Sequence, residues 1–402
     1  MNNLPAADIG PDSPRCSEGD AASEVDDSRF IHVVGLYKNG TSWLSHILCA
    51  HPQVIGWREF DIIRATHREQ PASLTRRIAC RYRPARNMWP SLDSDFRFSV
   101  KQKEQVIRDM FCGRGWIPLM GKDVRDAAEA LDHDDSGNFI DQLMRMAGKT
   151  LGRDNRPLLQ PGNFTGTLGY GNSTRRDLVR LLERIKQTND VSQVPHLFFE
   201  YLQKQCVPGT QIALKAADQV LCLTLLQQLS PRSRKIAIIR DGRDAAISAA
   251  HYGELMRKWD TPWIPKKRSF MSQLRSWAQR ARILSDYAAK NDIVILRYED
   301  MKRNFDGVVD ALLALLDLPV SRRQLREIHR ATDFATVTSG RRPGEAAEHI
   351  VRKGVIGEWK SVLSDRDARL AWRVAGEELT HFGYTQTGQY IDHLDARILA
   401  PR

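Results

Sequence analysis

Four short, mostly apolar runs alternate with amphipathic stretches along this chain. The runs lie at Phe30–Gly35, Gln211–Lys215, Lys235–Ile239 and Asp292–Arg297. They lack a regular polar alternation, which is typical of parallel strands that are buried on both faces. Helical patterns lie between them at Trp43–Leu48, Asp218–Leu229, Asp241–Leu255 and Ser269–Asn291. The alternation predicts an α/β fold with a parallel sheet flanked by helices.

Composition divides the chain into a tail, a core and an insertion. Residues 1–28 are rich in Pro, Gly, Ser, Asp and Ala, which predicts a disordered tail with structure beginning at Phe30. Residues 29–395 then form the main domain. Within it, residues 61–190 are rich in Arg and polar residues and lack strong strand patterns. Helical stretches at Val100–Phe111 and Ser173–Gln187 predict that this part is a mainly helical insertion or cap.

The overall charge is basic. The 402 residues include 60 Lys and Arg against 49 Asp and Glu, a net charge of +11. Such a charge favours anionic partners such as nucleotides, nucleic acid or acidic glycans, or it is simply a soluble basic surface. The six cysteines form no CxxC pair, so neither a zinc site nor a disulfide framework is indicated, and a cytoplasmic setting is expected. No apolar run reaches the length of a membrane span, and no signal peptide is recognisable.

The segment Gly35–Trp43 joins the first predicted strand to the first predicted helix. Backbone N–H groups at such a helix start bind anions well. Gly40 allows the backbone to approach an anion closely, Thr41 and Ser42 add hydroxyl donors, and Lys38 adds a positive charge. The alternative is an ordinary turn that contains Lys and Gly. Lys38 precedes Gly40, whereas a Walker A motif places its Lys after the second Gly, so this loop is not Walker A.

Four later segments carry further candidates for contact with a nucleotide. They are Arg240 with Ser248, Tyr298, Thr332 with Phe334, and the run Val351–Lys360 with Arg352, Lys353 and Gly354. A strand-end arginine and a serine in the following helix can reach one phosphate together. Adjacent cations beside a glycine suit a mobile phosphate clamp. The alternatives are a charged helix start, core aromatic residues and a basic surface loop.

In this order the segments resemble the sulfotransferase family that uses 3′-phosphoadenosine 5′-phosphosulfate (PAPS). Tyr37–Trp43 is similar to its PKSGTTW loop, with Tyr for Pro and Asn39 for Ser. The later segments are similar to its RxxRDxxxS, YEDM, Thr-x-Phe and RKGxxGDWK elements, with Glu358 for the last Asp. The resemblance implies a P-loop-like sulfotransferase fold and PAPS as co-substrate, released as 3′-phosphoadenosine 5′-phosphate (PAP). The donor-binding residues that it implies are Lys38, Asn39, Gly40, Thr41, Ser42, Trp43, Arg240, Ser248, Tyr298, Thr332, Phe334, Arg352, Lys353 and Gly354.

The resemblance also implies a mechanism. The family reaction is a metal-independent, in-line displacement at sulfur, in which Lys38 would stabilise the charge that builds on the bridging oxygen. The catalytic histidine of cytosolic-type members is missing, because residues 215–218 read KAAD. Glu59 is the favoured base, since it follows a His-Pro pair as in glycan-modifying members; alternatively, it pairs with a nearby Arg. Asp218 is the second candidate, or it is a helix cap.

Two other functions stay open on the sequence alone. An ATP-dependent P-loop kinase predicts a Lys after Gly40 and an acid for magnesium, and neither is convincing. A non-enzymatic basic protein that binds anions or nucleic acid would account for the net charge but not for the ordered motifs. The expected partner is a small-molecule or glycan acceptor with a hydroxyl or an amine, and not nucleic acid.

Overall fold

A parallel sheet forms the centre of the fold. The computed structural model describes residues 25–58, 175–188, 193–204, 209–258, 269–345 and 352–391. The strands are β1 (Phe30–Gly35), β2 (Val54–Arg58), β3 (Gln211–Lys215), β4 (Arg234–Ile239) and β5 (Val294–Arg297). They form one five-stranded sheet in the order β2-β3-β1-β4-β5, and every pairing is parallel. The predicted α/β class is therefore confirmed.

Helices connect the strands and cover the sheet. In chain order they are α1 (Thr41–Cys49), α2 (Arg175–Gln187), α3 (Gln193–Lys204), α4 (Leu223–Leu229), α5 (Gly242–Lys258), α6 (Phe270–Ala288), α7 (Tyr298–Arg303), α8 (Phe305–Leu315), α9 (Arg322–Thr332), α10 (Phe334–Val337), α11 (Trp359–Val362) and α12 (Asp365–His381). Side-chain caps fix several helix starts, because Ser269, Asn304 and Ser364 each accept a backbone N–H from the first turn of α6, α8 and α12.

Side chains of β1 alternate between two separate apolar cores. Phe30 and Val34 belong to one core, which α2, α3, α6 and α12 complete. Ile31 and Val33 belong to the other core, which α1, α8 and α9 complete. All four side chains are fully buried. A strand that is buried on both faces has no polar side, which explains the nearly continuous apolar runs in the sequence.

The chain packs on the core before Phe30, where structure was expected to begin. Asp27 lies in a short 3-10 turn, Asp27–Arg29, and its side chain is buried. Its carboxylate accepts hydrogen bonds from the backbone N of Arg232 at 2.9 Å and from the Nε of Arg232 at 2.6 Å. The last residues of the expected tail therefore belong to the folded unit.

Two further differences concern the edge of the sheet and the insertion. Strand β2 was not predicted, and its Gly-Trp-Arg end breaks the apolar run that would have indicated it. Most of the expected insertion at 61–190, including Val100–Phe111, lies outside the described residues, and its last part contains α2. Among the described residues, no helix is both long and apolar enough to cross a membrane.

Candidate active site

The candidate residues converge at the carboxyl ends of three neighbouring strands. The segment after β1 contains Lys38 and Gly40, Arg240 follows β4 directly, and Tyr298 follows β5 directly. Since β1, β4 and β5 are adjacent and parallel, all three connections lie at one edge of the sheet. Ligands of open α/β sheets bind at this edge.

The loop between β1 and α1 presents an uncapped helix start. Gly40 is the residue before α1; it has a φ of 104°, and no side chain of the described residues caps the helix there. A side chain at this position would be strained by its backbone, and its Cβ would lie 2.9 Å from Cδ2 of Tyr298. Thr41 is buried and Ser42 is exposed. The N–H groups of the first turn and the hydroxyl of Ser42 therefore suit an anion.

Asn39 shapes this loop from inside the protein. Its side chain is fully buried. Its Oδ1 accepts hydrogen bonds from the backbone N of Arg240 at 2.7 Å and from Nε1 of Trp277 at 3.2 Å, while its Nδ2 donates to the carbonyl of Tyr37 at 2.9 Å. The side chain contacts protein atoms, so its observed role is to fix the loop against β4 and α6.

Arg240 is a buried cation with unused donor capacity. Its Nη2 donates to the carbonyl of Val355 at 2.6 Å and to Asp244 at 3.3 Å, and its guanidinium carbon lies 4.8 Å from the ring centre of Tyr298. Its Nε is buried without a hydrogen-bond partner among the described residues. Burial lowers the pKa of Arg240, but the nearby Asp244, Tyr298 and Glu299 outweigh this and raise it. The group therefore stays charged.

Asp244 holds the segment 352–360, which we call the clamp loop, against the start of α5. Its carboxylate is fully buried and accepts the backbone N–H groups of Gly357 at 2.7 Å and Trp359 at 2.9 Å. Burial raises the pKa of Asp244, while Arg240 and these two N–H groups oppose that shift. The clamp loop is thus fixed to the first turn of α5, which begins two residues after Arg240.

Arg352 carries a second guanidinium group in the clamp loop, three residues before Val355, whose carbonyl accepts a hydrogen bond from Arg240. Its guanidinium makes a two-pronged ion pair with Glu358, which also contacts Lys353 Nζ at 3.0 Å. Burial, followed by the charge of Arg240, lowers the pKa of Arg352. The Nε of Arg352 is likewise buried without a partner among the described residues. Two guanidinium groups at the clamp loop, each with an unsatisfied Nε donor, suit a phosphate.

Aromatic side chains line the other side of this site. Trp43 lies edge to face with Tyr298 at 5.5 Å, and its Nε1 donates to the carbonyl of Thr332 at 2.9 Å. Gly354 has a φ of 63°, and a Cβ there would lie 2.6 Å from the ring of Phe334. The close approach of a glycine brings the clamp loop onto Phe334. These rings could bind a flat base.

Tyr252 was missed by the sequence reasoning. It belongs to α5, one turn after Ser248, which is buried. The Nζ of Lys38 lies 4.6 Å from its ring centre. The four-residue spacing from Ser248 along a helix was the available signal.

The side chains of both candidate bases, Glu59 and Asp218, lie outside the described part of the structure. Glu59 lies outside the described residues. Asp218 lies inside a 3-10 segment, Ala217–Cys222, and its side chain is also outside the described part. The alternative in which Asp218 caps a helix is wrong, because Ala216 occupies the cap position and makes no side-chain hydrogen bond there.

A second group of buried polar residues connects the ends of β4 and β5 to the segment 384–391. Glu299 is fully buried and accepts hydrogen bonds from the backbone N of Asp241 at 3.1 Å and from the hydroxyl of Tyr384 at 2.8 Å. Burial raises the pKa of Glu299 to about 7. Arg243, also fully buried, pairs with Asp241 and donates to the carbonyl of Gln386 at 2.9 Å. No sequence motif indicated the role of the segment 384–391, which we call the C-terminal hairpin.

Comparison with known proteins identifies the family. A family model for the Sulfotransferase domain matches residues 173–383, more than half of the 402-residue chain. The chain therefore belongs to the sulfotransferase domain family, as its motifs predicted. The match begins after the loop that carries Lys38, which the sheet brings beside the matched residues.

Individual relatives are distant. The human Sulfotransferase 2B1 is 22% identical over 147 residues, 33% of this chain and 40% of that protein. The Amine sulfotransferase of Oryctolagus cuniculus is 24% identical over 226 residues, 50% of this chain and 72% of that protein. The chain thus spans less than half the length of the first of these relatives.

Solved structures of sulfotransferases are also similar to this chain. Mouse SULT7A1 complexed with PAP has 19% identity and a TM-score of 0.36, covering 51% of this chain and 80% of that chain. STF9 from Mycobacterium avium has 15% identity and a TM-score of 0.41, covering 90% of this chain and 78% of that chain.

Proposed function

We propose that this protein transfers the sulfuryl group of PAPS to a hydroxyl or an amine of an acceptor. The observation that carries the proposal is that Arg240, which donates to the clamp loop, and Arg352, which belongs to it, each have a buried Nε that lacks a partner among the described residues. Buried donors without a partner are costly, so they point to a bound anion. A 3′-phosphate is the anion that distinguishes PAPS from ordinary adenine nucleotides.

The remaining contacts of the donor would come from the segments around this pair. The first turn of α1, with Thr41 and Ser42, would bind the 5′-phosphosulfate, since an uncapped helix start attracts negative charge. Ser248 and Lys353 would add donors to the 3′-phosphate. The adenine would contact the rings of Trp43 and Phe334, with Thr332, Tyr298 and Gly354 completing the wall. Asn39 would act through the shape of the loop.

Lys38 would supply the main electrostatic contribution to the transfer. The acceptor oxygen or nitrogen forms a bond to sulfur while the bond from sulfur to the bridging oxygen breaks, and PAP leaves with that electron pair. A preorganised donor at the developing charge typically contributes about 3–4 kcal/mol. The proton of the acceptor would pass to a carboxylate, for which Glu59 and then Asp218 are our candidates. The transfer as proposed uses no metal ion.

The family and the loop both argue against the alternatives. A P-loop kinase is not favoured, since the matched family is the Sulfotransferase domain. A nucleotide site accounts for part of the net charge of +11, and we propose no nucleic-acid partner. We propose a small-molecule or glycan acceptor, and we keep an amine because one relative is named an amine sulfotransferase. A cytoplasmic setting is also proposed, in keeping with six cysteines that form no CxxC pair.

The direct test is PAP release from PAPS with a panel of phenols, amines, sugars and lipids. We expect turnover without added magnesium, and a loss of about 100- to 1,000-fold in kcat for Lys38→Ala at unchanged thermal stability. Lys290→Ala, which alters an exposed lysine at the end of α6, is the matched control. Near-normal turnover by Lys38→Ala, or turnover that requires ATP and magnesium, would contradict the proposal.

A further inference from the structure

Lys38 lies against two aromatic side chains, Tyr37 of its own loop and Tyr252, which no sequence motif assigned to the site. Its Nζ is 4.6 Å from the ring centre of Tyr252 and 6.0 Å from that of Tyr37. The two rings contact each other edge to face, 5.6 Å apart and at 75°. An ammonium group over an aromatic face is attracted by the ring quadrupole. The two tyrosines therefore form an aromatic bracket for the ammonium group of Lys38.

The backbone of the loop contributes to this arrangement. Lys38 has a φ of 64°, a left-handed conformation that is uncommon for lysine. Such strain persists when surrounding contacts stabilise it, and it occurs often at active sites. Asn39 supplies one of these contacts by holding the carbonyl of Tyr37. The main-chain conformation thus sets the direction in which the Lys38 side chain leaves the loop, and its ammonium group contacts the ring of Tyr252.

The position of Tyr252 on α5 connects the bracket to the donor site. Residues four apart on a helix share one face, so Tyr252 lies one turn beyond Ser248 on the same side of α5. Tyr37 stands where the resembled motif has a proline, and 38% of its surface is exposed. A proline would restrict the backbone of the loop at this position. Here the ring of Tyr37 instead contacts the ring of Tyr252.

We propose that Tyr252, assisted by Tyr37, is a positioning residue that holds the ammonium group of Lys38 ready for the charge that develops during sulfuryl transfer. This inference rests on the proposed function. A long lysine side chain loses rotamer freedom when it is ordered, and this loss opposes catalysis if it occurs only in the transition state. The bracket orders the side chain before the donor binds, so it lowers that cost.

The contact can be measured without any turnover. Reductive ¹³C-methylation keeps the charge of lysine, and Lys38→Arg assigns the Lys38 signal by removing it. We expect an upfield ring-current shift of this signal in the ligand-free protein, kept in Tyr252→Phe and lost in Tyr252→Leu. Tyr37→Leu should reduce it less, because its ring is farther from Nζ. Melting temperatures of all variants show whether each one is folded.

Kinetics then test the consequence. We expect Tyr252→Leu to lower kcat about three- to tenfold with little change in KM for PAPS, and Tyr252→Phe to restore most of it. Two results would overturn the positioning role alone, provided that the wild-type protein is active. One is an unshifted Lys38 signal in the wild-type protein, and the other is an unchanged kcat in a folded Tyr252→Leu variant. A shifted signal in a wild-type protein that turns over no PAPS would refute the proposed function, and the positioning role with it.

Discussion

Replacing Arg352 with glutamine tests the phosphate site, because this change should weaken nucleotide binding much more than it lowers the stability of the fold. Arg352 is largely buried, and the carboxylate of Glu358 accepts hydrogen bonds from both of its terminal nitrogens. Removing it does not leave Glu358 alone, because Lys353 Nζ lies 3.0 Å from the same carboxylate. We therefore expect Arg352→Gln to fold, with a modest loss of thermal stability. The change should act mainly on the bound nucleotide.

The size of the effect follows from the unpartnered Nε. A hydrogen bond between a charged donor and a phosphate contributes about 1.5–3 kcal/mol, which corresponds to a roughly 10- to 100-fold increase in Kd. Only a ligand with a 3′-phosphate gains this interaction. The affinity for PAP should therefore fall by that factor, while the affinity for 5′-AMP changes by less than about twofold.

Isothermal titration calorimetry with PAP and 5′-AMP at one ionic strength measures both quantities. Arg323→Gln is the matched control, since Arg323 is an exposed arginine that pairs with Glu327 on α9. It removes the same charge and should leave both affinities unchanged. Equal losses for PAP and 5′-AMP, or an unchanged PAP affinity in Arg352→Gln, would refute the assignment of the guanidinium pair to the 3′-phosphate.

Three further predictions concern the clamp loop and the core. Gly354→Ala strains a backbone at φ 63° and pushes a Cβ to 2.6 Å from Phe334, so PAP affinity by calorimetry should fall about tenfold; wild-type affinity would count against the fit. Burial lowers the pKa of His32 to about 3, so protonation favours the unfolded chain as pH falls below 6.5. When the pH is lowered from 6.5 to 5, the free energy of unfolding measured in urea titrations should fall by about 2 kcal/mol less in His32→Leu than in the wild type. Equal losses in the two proteins would disprove this. Asp27→Ala should cost about 1–3 kcal/mol by removing the bonds to Arg232, and an unchanged urea midpoint would exclude that role.

The core of the fold was predictable because its strands are buried on both faces. Such strands have apolar residues at most positions, so Phe30–Gly35 and Gln211–Lys215 were found with their observed bounds. Strand β2 lies at the sheet edge and ends in Gly-Trp-Arg, and its apolar signal is too short to indicate a strand. Residues 1–28 were assigned to the tail by composition, which could not show that Asp27 pairs with Arg232 across the fold.

The site could be predicted only as far as its residues fall into linear motifs. Arg240 and Arg352 were found in this way, and their roles remain proposals. Tyr252 and Glu299 contact Lys38 and Tyr384, which are distant in sequence. The spacing of Tyr252 from Ser248 indicates a shared face of α5 but not the contact with Lys38. Asn39 was expected among the donor contacts, but the fold turns its amide towards Trp277.

The C-terminal hairpin lies beyond the family match, which ends at residue 383. Yet its main-chain carbonyls accept hydrogen bonds from two buried arginines, Arg243 and Arg297, and its Tyr384 contacts Glu299 beneath the strand ends. A chain cut at the family boundary would leave those guanidinium groups without these acceptors in the interior, at a cost of several kcal/mol. The packed structure therefore extends beyond the family match, and we expect a chain that ends at residue 383 to be less stable than one that includes Ile391.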